Sequence, residues 1–339
     1  MRARTAAVTL VALVGALATP PLAGAALVYQ KSIKKTSVWI AGDDGSAPRR
    51  LVTGALPRIS PDGSAVAYLA NAGTAHPSLR EIPAAGGPVR TLVERWRFGV
   101  FAWSADGRYV ASLAGDNNGK ARLVLVDRTT GTRRTVDRGY FAGASFSPAS
   151  DELVYSYAAR ETLFPKANLR AVPVAGGAFR RVTSDGRSLY PLWGPQRIAH
   201  VRYSRPTGRF RKQDGPKFNI WTVAGDGSAR AALTRDNAPF LLTGLVPLAW
   251  SADGSRLLAL FQGQDIVYPV SIDPATGKQR VVGRRKDAIF PTALSKDGST
   301  VLGFTGFLGV GRVNVVTVPY AGGTPRVLVA KAENPDWNR

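Results

Sequence analysis

One motif recurs along the whole chain: an aromatic or large apolar residue followed at once by a Ser-x-Asp-Gly turn. The first landmark falls at Ile59, Trp103, Phe146, Trp193, Trp250, Leu294 and Trp337. Ser60-Pro61-Asp62-Gly63, Ser104-Ala105-Asp106-Gly107, Ser251-Ala252-Asp253-Gly254 and Ser295-Lys296-Asp297-Gly298 follow four of them, with degenerate copies at Ser147-Pro148-Ala149-Ser150 and Gly194-Pro195. Asp-Gly suits a tight hairpin, because Gly accepts positive φ and Asp bonds its own backbone. A second series sets a Gly turn before Arg and a β-branched pair, with its Gly at 45, 87, 131, 177, 227, 277 and 323. Both series repeat every 42 to 57 residues. A period of that length, filled with short strands, restricts the chain to repeat architectures whose units bury their faces against neighbours.

Apolar runs of strand character lie between the landmarks. Val66-Ala67-Tyr68-Leu69 and Tyr109-Val110-Ala111-Ser112-Leu113 follow the Asp-Gly turns, and Leu123-Val124-Leu125-Val126 and Asn219-Ile220-Trp221-Thr222-Val223 precede the Gly turns. Each repeat therefore reads strand A, Asp-Gly turn, strand B, loop, strand C, Gly turn, strand D. The two series are out of phase: Gly45 precedes any strand A, and Pro335-Asp336-Trp337 has nothing after it. Residues Ala26 to Gly54 thus supply strands B, C and D of a unit whose strand A is the C-terminus. The sequence predicts an all-β propeller of four-stranded antiparallel blades over residues 26–339. Seven blades are expected, and six if the stretched repeat around Trp193 is irregular. Closing the ring this way removes a free sheet edge.

Composition narrows the setting. Arg2 and Arg4, the apolar stretch Ala6 to Ala18 and the small residues Ala23-Gly24-Ala25 read as a leader, residues 1–25. That predicts a secreted or periplasmic envelope protein, touching membrane only through an uncleaved signal. The apolar stretch is shorter than the roughly 20 residues needed to span a bilayer. With no Cys, disulfides and thiolate metal sites are excluded. The net charge of +22 suits polyanions. Export turns that expectation away from nucleic acid and toward an anionic glycan, an envelope polymer or a protein partner, bound by a monomer.

The Ser-Pro-Asp-Gly turn after an aromatic, repeated with Gly-Gly-x-x-Arg, resembles TolB-type propellers, also called WD-repeat-like propellers. The resemblance spans residues 26–339 and implies the fold and a binding or scaffolding role. TolB-type proteins of Gram-negative periplasm carry an α/β domain before the propeller, for which residues 1–25 leave no room. Oligogalacturonate-lyase-like propellers imply the alternative, a polysaccharide lyase or hydrolase with a carboxylate or Tyr site in the central funnel.

Candidate chemistry is sparse. Only His76 and His200 occur, so a multi-His metal site is excluded, and there is no G-x-S-x-G elbow. His200 occupies a strand-B position held elsewhere by Tyr68, Ser112, Ser156 and Ala259 and is expected to be a packed strand residue; His76 is expected in a loop. The Asp of each Asp-Gly turn is expected to serve the turn rather than a metal. No cofactor or metal site is predicted. The Arg series Arg50, Arg90, Arg134, Arg181, Arg230, Arg280 and Arg326 falls in strand D, where charge would guard the exposed edges. The binding face is expected where the B–C and D–A loops leave, opposite the Asp-Gly turns. There the D–A loops bring Trp96, Tyr140, Tyr190 and Phe240, and the long loop of the Trp193 repeat brings Arg205, Arg209, Arg211 and Lys212. Aromatic rings beside cations suit sugars, anionic glycans or extended peptides.

Overall fold

The computed structural model describes residues 25–32, 35–115, 121–204, 217–235, 244–263, 265–306 and 311–338. Among these, every regular element is a strand apart from one 3-10 turn, Arg285–Asp287. The strands sort into seven antiparallel sets of four, taken in chain order from the innermost outward. The innermost strands of blades 1 to 7 are Glu333–Trp337, Ala55–Ile59, Trp96–Trp103, Ala144–Phe146, Ser188–Trp193, Gly244–Trp250 and Phe290–Leu294. Each ends on the expected landmark. Blades 5 and 6 are also joined by one parallel pairing, Phe218 with Gly244. Both remain complete four-strand sets, including the stretched repeat around Trp193.

The seam lies where the phase offset placed it. Glu333–Trp337 pairs antiparallel with Ala26–Lys31, with Leu27 opposite Trp337 and Gln30 opposite Glu333. Trp337 is buried with Leu27, Tyr29, Ala41, Leu302 and Val315, which belong to blades 1 and 7. An apolar core of this kind fills every other junction too, from Ile59 against Val28 and Val38 between blades 1 and 2 to Leu258 against Val301 and Val316 between blades 6 and 7. Burying both faces of each blade explains why strands B and C are apolar at successive positions rather than alternating.

The Ser-x-Asp-Gly turn has a uniform chemistry. Ser60, Ser104, Ser251 and Ser295 are all but fully buried. Each hydroxyl donates to the Asp two residues on, at 2.5 to 2.6 Å, and accepts a backbone N–H five residues on, at 2.8 to 3.0 Å. The Asp carboxylate in turn accepts the N–H two residues ahead, at 3.0 to 3.1 Å. Buried donors and acceptors are thereby paired within the turn. The Gly adopts φ near +70°, as Gly107 does at 70°. These four carboxylates, in blades 2, 3, 6 and 7, serve the turn, and no group of three His, Cys, Asp or Glu able to hold a metal occurs among the described residues.

The strand-D arginines do more than guard edges. Arg49 and Arg180 donate to Ala84 O and Gly225 O. Arg90 donates to Arg128 O at 2.7 Å, and Arg134 to Pro173 O at 2.8 Å and Val174 O at 3.0 Å. In each case the acceptor lies at the C–D turn of the following blade, so the guanidinium clips one blade to the next. Arg230 instead pairs with Asp185 at 2.6 Å. Arg50, Arg181, Arg280 and Arg326 stay exposed, as edge guards should.

His200 is fully buried in strand B of blade 5, its Nδ1 3.1 Å from Val201 O. Burial pushes its pKa down to about 4 from 6.5. The unfolded chain therefore binds this proton more readily than the native state. Stability contributed here is complete above pH 6.5 and is lost as pH falls toward 4. Asp336 acts in the opposite sense: burial raises it to about 6 from 3.8, against the attraction of Arg58. Its share is present below pH 3.8 and lost as pH rises to 6. Thermal melts from pH 4 to 8 should show His200→Gln gaining most relative to wild type at the acid end and Asp336→Asn gaining most above pH 6, by up to about 2 kcal/mol. Parallel curves for all three proteins would refute both assignments.

Candidate functional site

A pocket of about 380 Å³ opens on the face carrying the B–C and D–A loops, across blades 3, 4 and 5. Its walls come from strand ends: the residue after strand D of blade 3, the end of strand B in blades 4 and 5, and the starts of strands A and C in blade 5. All those ends lie on one face because strands alternate in direction within each blade, so that B and D end where A and C begin.

Tyr140 enters through local geometry. It follows Arg133–Gly139 and forms an isolated bridge with Ala158, Tyr140 N to Ala158 O at 3.0 Å and the reverse bond at 2.9 Å. Gly139 permits this approach, since a Cβ there would stand 2.7 Å from the Tyr157 ring. Ser156, buried, accepts Ala142 N at 2.7 Å and holds the next stretch of the loop down. Gly143, at φ +144°, then lets the chain pass over Tyr190, where a Cβ would come within 3.1 Å of its Cα.

Tyr190 sits within strand A rather than in the D–A loop. It is left-handed at φ 48° just before Pro191, at a break in the register with strand B. The bulge turns its ring outward, 36% exposed, against Phe218 at 6.2 Å between centroids. Its hydroxyl pKa is raised by burial. Tyr203 forms the opposite wall, its hydroxyl donating to Pro165 O at 2.8 Å, and so pins the B–C loop of blade 4. Leu163 on that loop is 53% exposed at the rim. Arg97 and Glu161 supply the charges.

Of the expected binding residues, Tyr140 and Tyr190 line this pocket together. Trp96 does not. It begins the innermost strand of blade 3, is 9% exposed, and donates Nε1 to Ser112 Oγ at 2.8 Å inside the junction with blade 2. A ring with its one polar atom bonded inside the core belongs to packing. Phe240, Arg205, Arg209, Arg211 and Lys212 lie outside the described residues. Ser204 and Lys217, the described residues flanking 205–216 in sequence, adjoin the wall residues Tyr203 and Phe218. Tyr203, Phe218, Leu163, Arg97 and Glu161 escaped the sequence reading. Tyr203 and Phe218 could have been found as the aromatic residues bracketing the longest basic loop.

No protein-family profile and no curated protein sequence matches the chain. Solved structures do. TolB from Acinetobacter baumannii superposes at a TM-score of 0.54 with 15% identity, covering 92% of this chain and 66% of that one. The β-propeller domain of the Trilobed protease from Pyrococcus furiosus gives 0.64 with 14% identity, covering 90% and 92%. An oligogalacturonate lyase in complex with manganese gives 0.61 with 16% identity, covering 89% and 83%. The chain spans just under two thirds of the length of that TolB, and 53% of a puromycin-hydrolysing peptidase from Mycobacterium tuberculosis. At these identities the likeness establishes the fold alone: this chain is a β-propeller, similar in fold to TolB.

Proposed function

We propose that this propeller is an exported binding scaffold and that the aromatic pocket on its loop face takes a segment of an anionic envelope polymer. One observation carries the reading: Tyr140, Tyr190, Tyr203 and Phe218 converge on one concave site, beside the root of the most basic loop of a chain with net charge +22. Rings of this kind offer flat apolar contact to sugar units or peptide, and a strongly basic chain favours a negatively charged occupant. A protein tail is the other occupant the same chemistry admits. The leader-like residues 1–25 support export.

Binding of heparin, as a polyanionic probe, is expected to fall steeply with salt as counterions are released. Tyr140→Ala or Tyr190→Ala should each weaken it about tenfold, the scale of one lost ring contact. Replacing Arg209, Arg211 and Lys212 by Ser should weaken it far more than replacing the exposed edge residues Arg181, Arg280 and Arg326, although both remove three charges. The Debye length of about 8 Å near physiological salt is the reason: only local charges count. Equal losses in both triple variants would defeat the site assignment.

The second reading, a lyase or hydrolase, draws on Asp336. This inner-strand carboxyl accepts Ile59 N at 3.0 Å, feels Arg58, and has its pKa raised to about 6 by burial. Such a group could hold a proton near neutral pH. Turnover of polygalacturonate that disappears in Asp336→Asn but survives His76→Ala and His200→Gln would replace the scaffold reading with this one.

A further inference from the structure

A second cavity, about 650 Å³, opens on the opposite face, between the turns of blades 5 and 6. Its walls are Gly194, Arg197, Trp250, Asp253, Asp273 and Pro274, among others. The junction between blades 2 and 3 shows how such a place can be filled within the chain. Between blades 2 and 3, Arg128 lies over the Trp103 ring at 4.8 Å, pairs with Glu81 at 2.6 Å and donates to Gly107 O. Arg108 there pairs with Asp127 at 2.8 Å.

Strand register makes the two junctions comparable residue by residue. Trp103 pairs with Val110 and Val110 with Val126, whereas Trp250 pairs with Leu257 and Leu257 with Ile272. Asp127 and Asp273 therefore occupy the same place, and each caps its own turn, accepting Thr129 N at 2.9 Å and Ala275 N at 2.8 Å. By the same register Arg128 corresponds to Pro274, Arg108 to Ser255, and Glu81 to Thr222. The guanidinium groups of Arg128 and Arg108 thus have no counterpart at the blade 5–6 junction. The turn of blade 5 is also shortened: Gly194 N bonds Arg197 O at 2.8 Å, so that Trp193 pairs with Ile198 across four residues. Six residues intervene between Trp103 and Val110.

What remains is an indole wall beside two carboxylates. Asp253 is held ionised, its pKa lowered to about 2 by the hydroxyl of Ser251 and further bonds from Ser255. The hydrogen bonds of Asp273 lower its pKa too, and among the described residues it makes no ion pair. Among the described lining residues the one cation, Arg197, is turned to Thr222 Oγ1 at 3.1 Å and Ala229 O at 3.0 Å. Among the described lining residues two carboxylates stand against one guanidinium, with Lys278 acting on Asp273 from outside the lining. A metal ion would want a cluster of oxygens rather than an aromatic plane. A planar organic cation suits both features, and stacking of a guanidinium on an indole is the contact that the blade 2–3 junction already makes.

We infer that the cleft between the turns of blades 5 and 6 is a binding site for a guanidinium group, seated on Trp250 as Arg128 is on Trp103 and neutralising Asp273, whose counterpart Asp127 is paired by Arg108. The group arrives either as an arginine side chain of a peptide or as a small free guanidine compound.

The test is titration of the full chain, followed by calorimetry, with N-acetyl-arginine methylamide, its citrulline counterpart, agmatine and a tripeptide with arginine at its centre. The arginine amide should bind with Kd about 1 mM, reasonable for one stacked, paired cation. The uncharged citrulline compound should bind at least tenfold more weakly. Asp273→Asn should weaken the arginine amide five- to tenfold. Pro274→Arg, which restores the chain's own guanidinium, should abolish binding while leaving the melting temperature unchanged or higher. Tighter binding of the tripeptide than of agmatine identifies a peptide side chain as the source, and the reverse identifies a free guanidine. Tyr140→Ala, on the other face, should change nothing here, so this site and the loop-face pocket stand or fall separately. Equal affinity for arginine and citrulline compounds, or undiminished binding by Pro274→Arg, would overturn the assignment.

Discussion

Deleting the last eight residues is expected to lower the melting temperature by roughly 15 °C or more and to broaden the transition. The deletion removes the innermost strand of blade 1, exposing the edge of Ala26–Lys31, and empties the site that Trp337 fills among Leu27, Tyr29 and Val315. Two polar links go with it, Ala26 N to Asn338 Oδ1 at 2.8 Å and Gln30 Nε2 to Glu333 Oε1 at 2.9 Å. Trp337→Ala isolates the cavity term, which for a buried aromatic amounts to about 3–5 kcal/mol. The full deletion must cost more, because it also opens a paired edge in both neighbouring junctions. Calorimetry on the three proteins checks the order. A truncated chain melting with wild type would mean that the ring is held without its seam.

Arg128→Ala should be the most damaging single change on the turn face, at about 3–5 kcal/mol. The Arg128 side chain is only 15% exposed and its partner Glu81 10%. Removing the cation leaves Glu81 with the more exposed Arg90, at 2.7 Å, as its remaining ion pair. It also strips the cation from the Trp103 face and the donor from Gly107 O. Exposed pairs elsewhere, such as Arg284 with Asp287, should contribute under about 1 kcal/mol, because water screens them. The double change Arg128→Met with Glu81→Leu should recover most of the loss, since an apolar pair of similar size avoids burying an uncompensated charge. Denaturant melts of the single and double variants decide the matter. A double variant as unstable as Arg128→Ala would show that shape rather than charge governs the junction.

The chain's periodicity made the fold legible because each landmark answers a local need. A Ser must be buried with its hydroxyl paired, an Asp must cap the turn, a Gly must adopt positive φ, and an aromatic residue must close the strand. These requirements act within about six residues, so they leave a signature that linear reading can count. The phase offset between the two series gave the seam for the same reason: it is arithmetic on turns. Local reading likewise placed His200 in a strand and kept the Asp-Gly carboxylates for the turns.

The sites follow a different logic. Trp96 and Tyr140 look alike in sequence, each an aromatic where a D–A connection meets a strand. One points into a junction and bonds Ser112, while the other is held at the pocket by a bridge to Ala158. Nothing within either segment decides this; the neighbouring blade does. The same holds for the strand-D arginines, whose acceptors lie in the next blade. It holds again for the cleft by Trp250, which exists because three positions far apart in the chain, Gly194, Ser255 and Pro274, each lack what the blade 2–3 junction has. Local backbone and turn chemistry determined that this sequence makes seven four-stranded blades and joins its ends. Which aromatic rings face water and which junctions stand open depended on packing between blades, where the contacts are long-range and the residue types alone are degenerate.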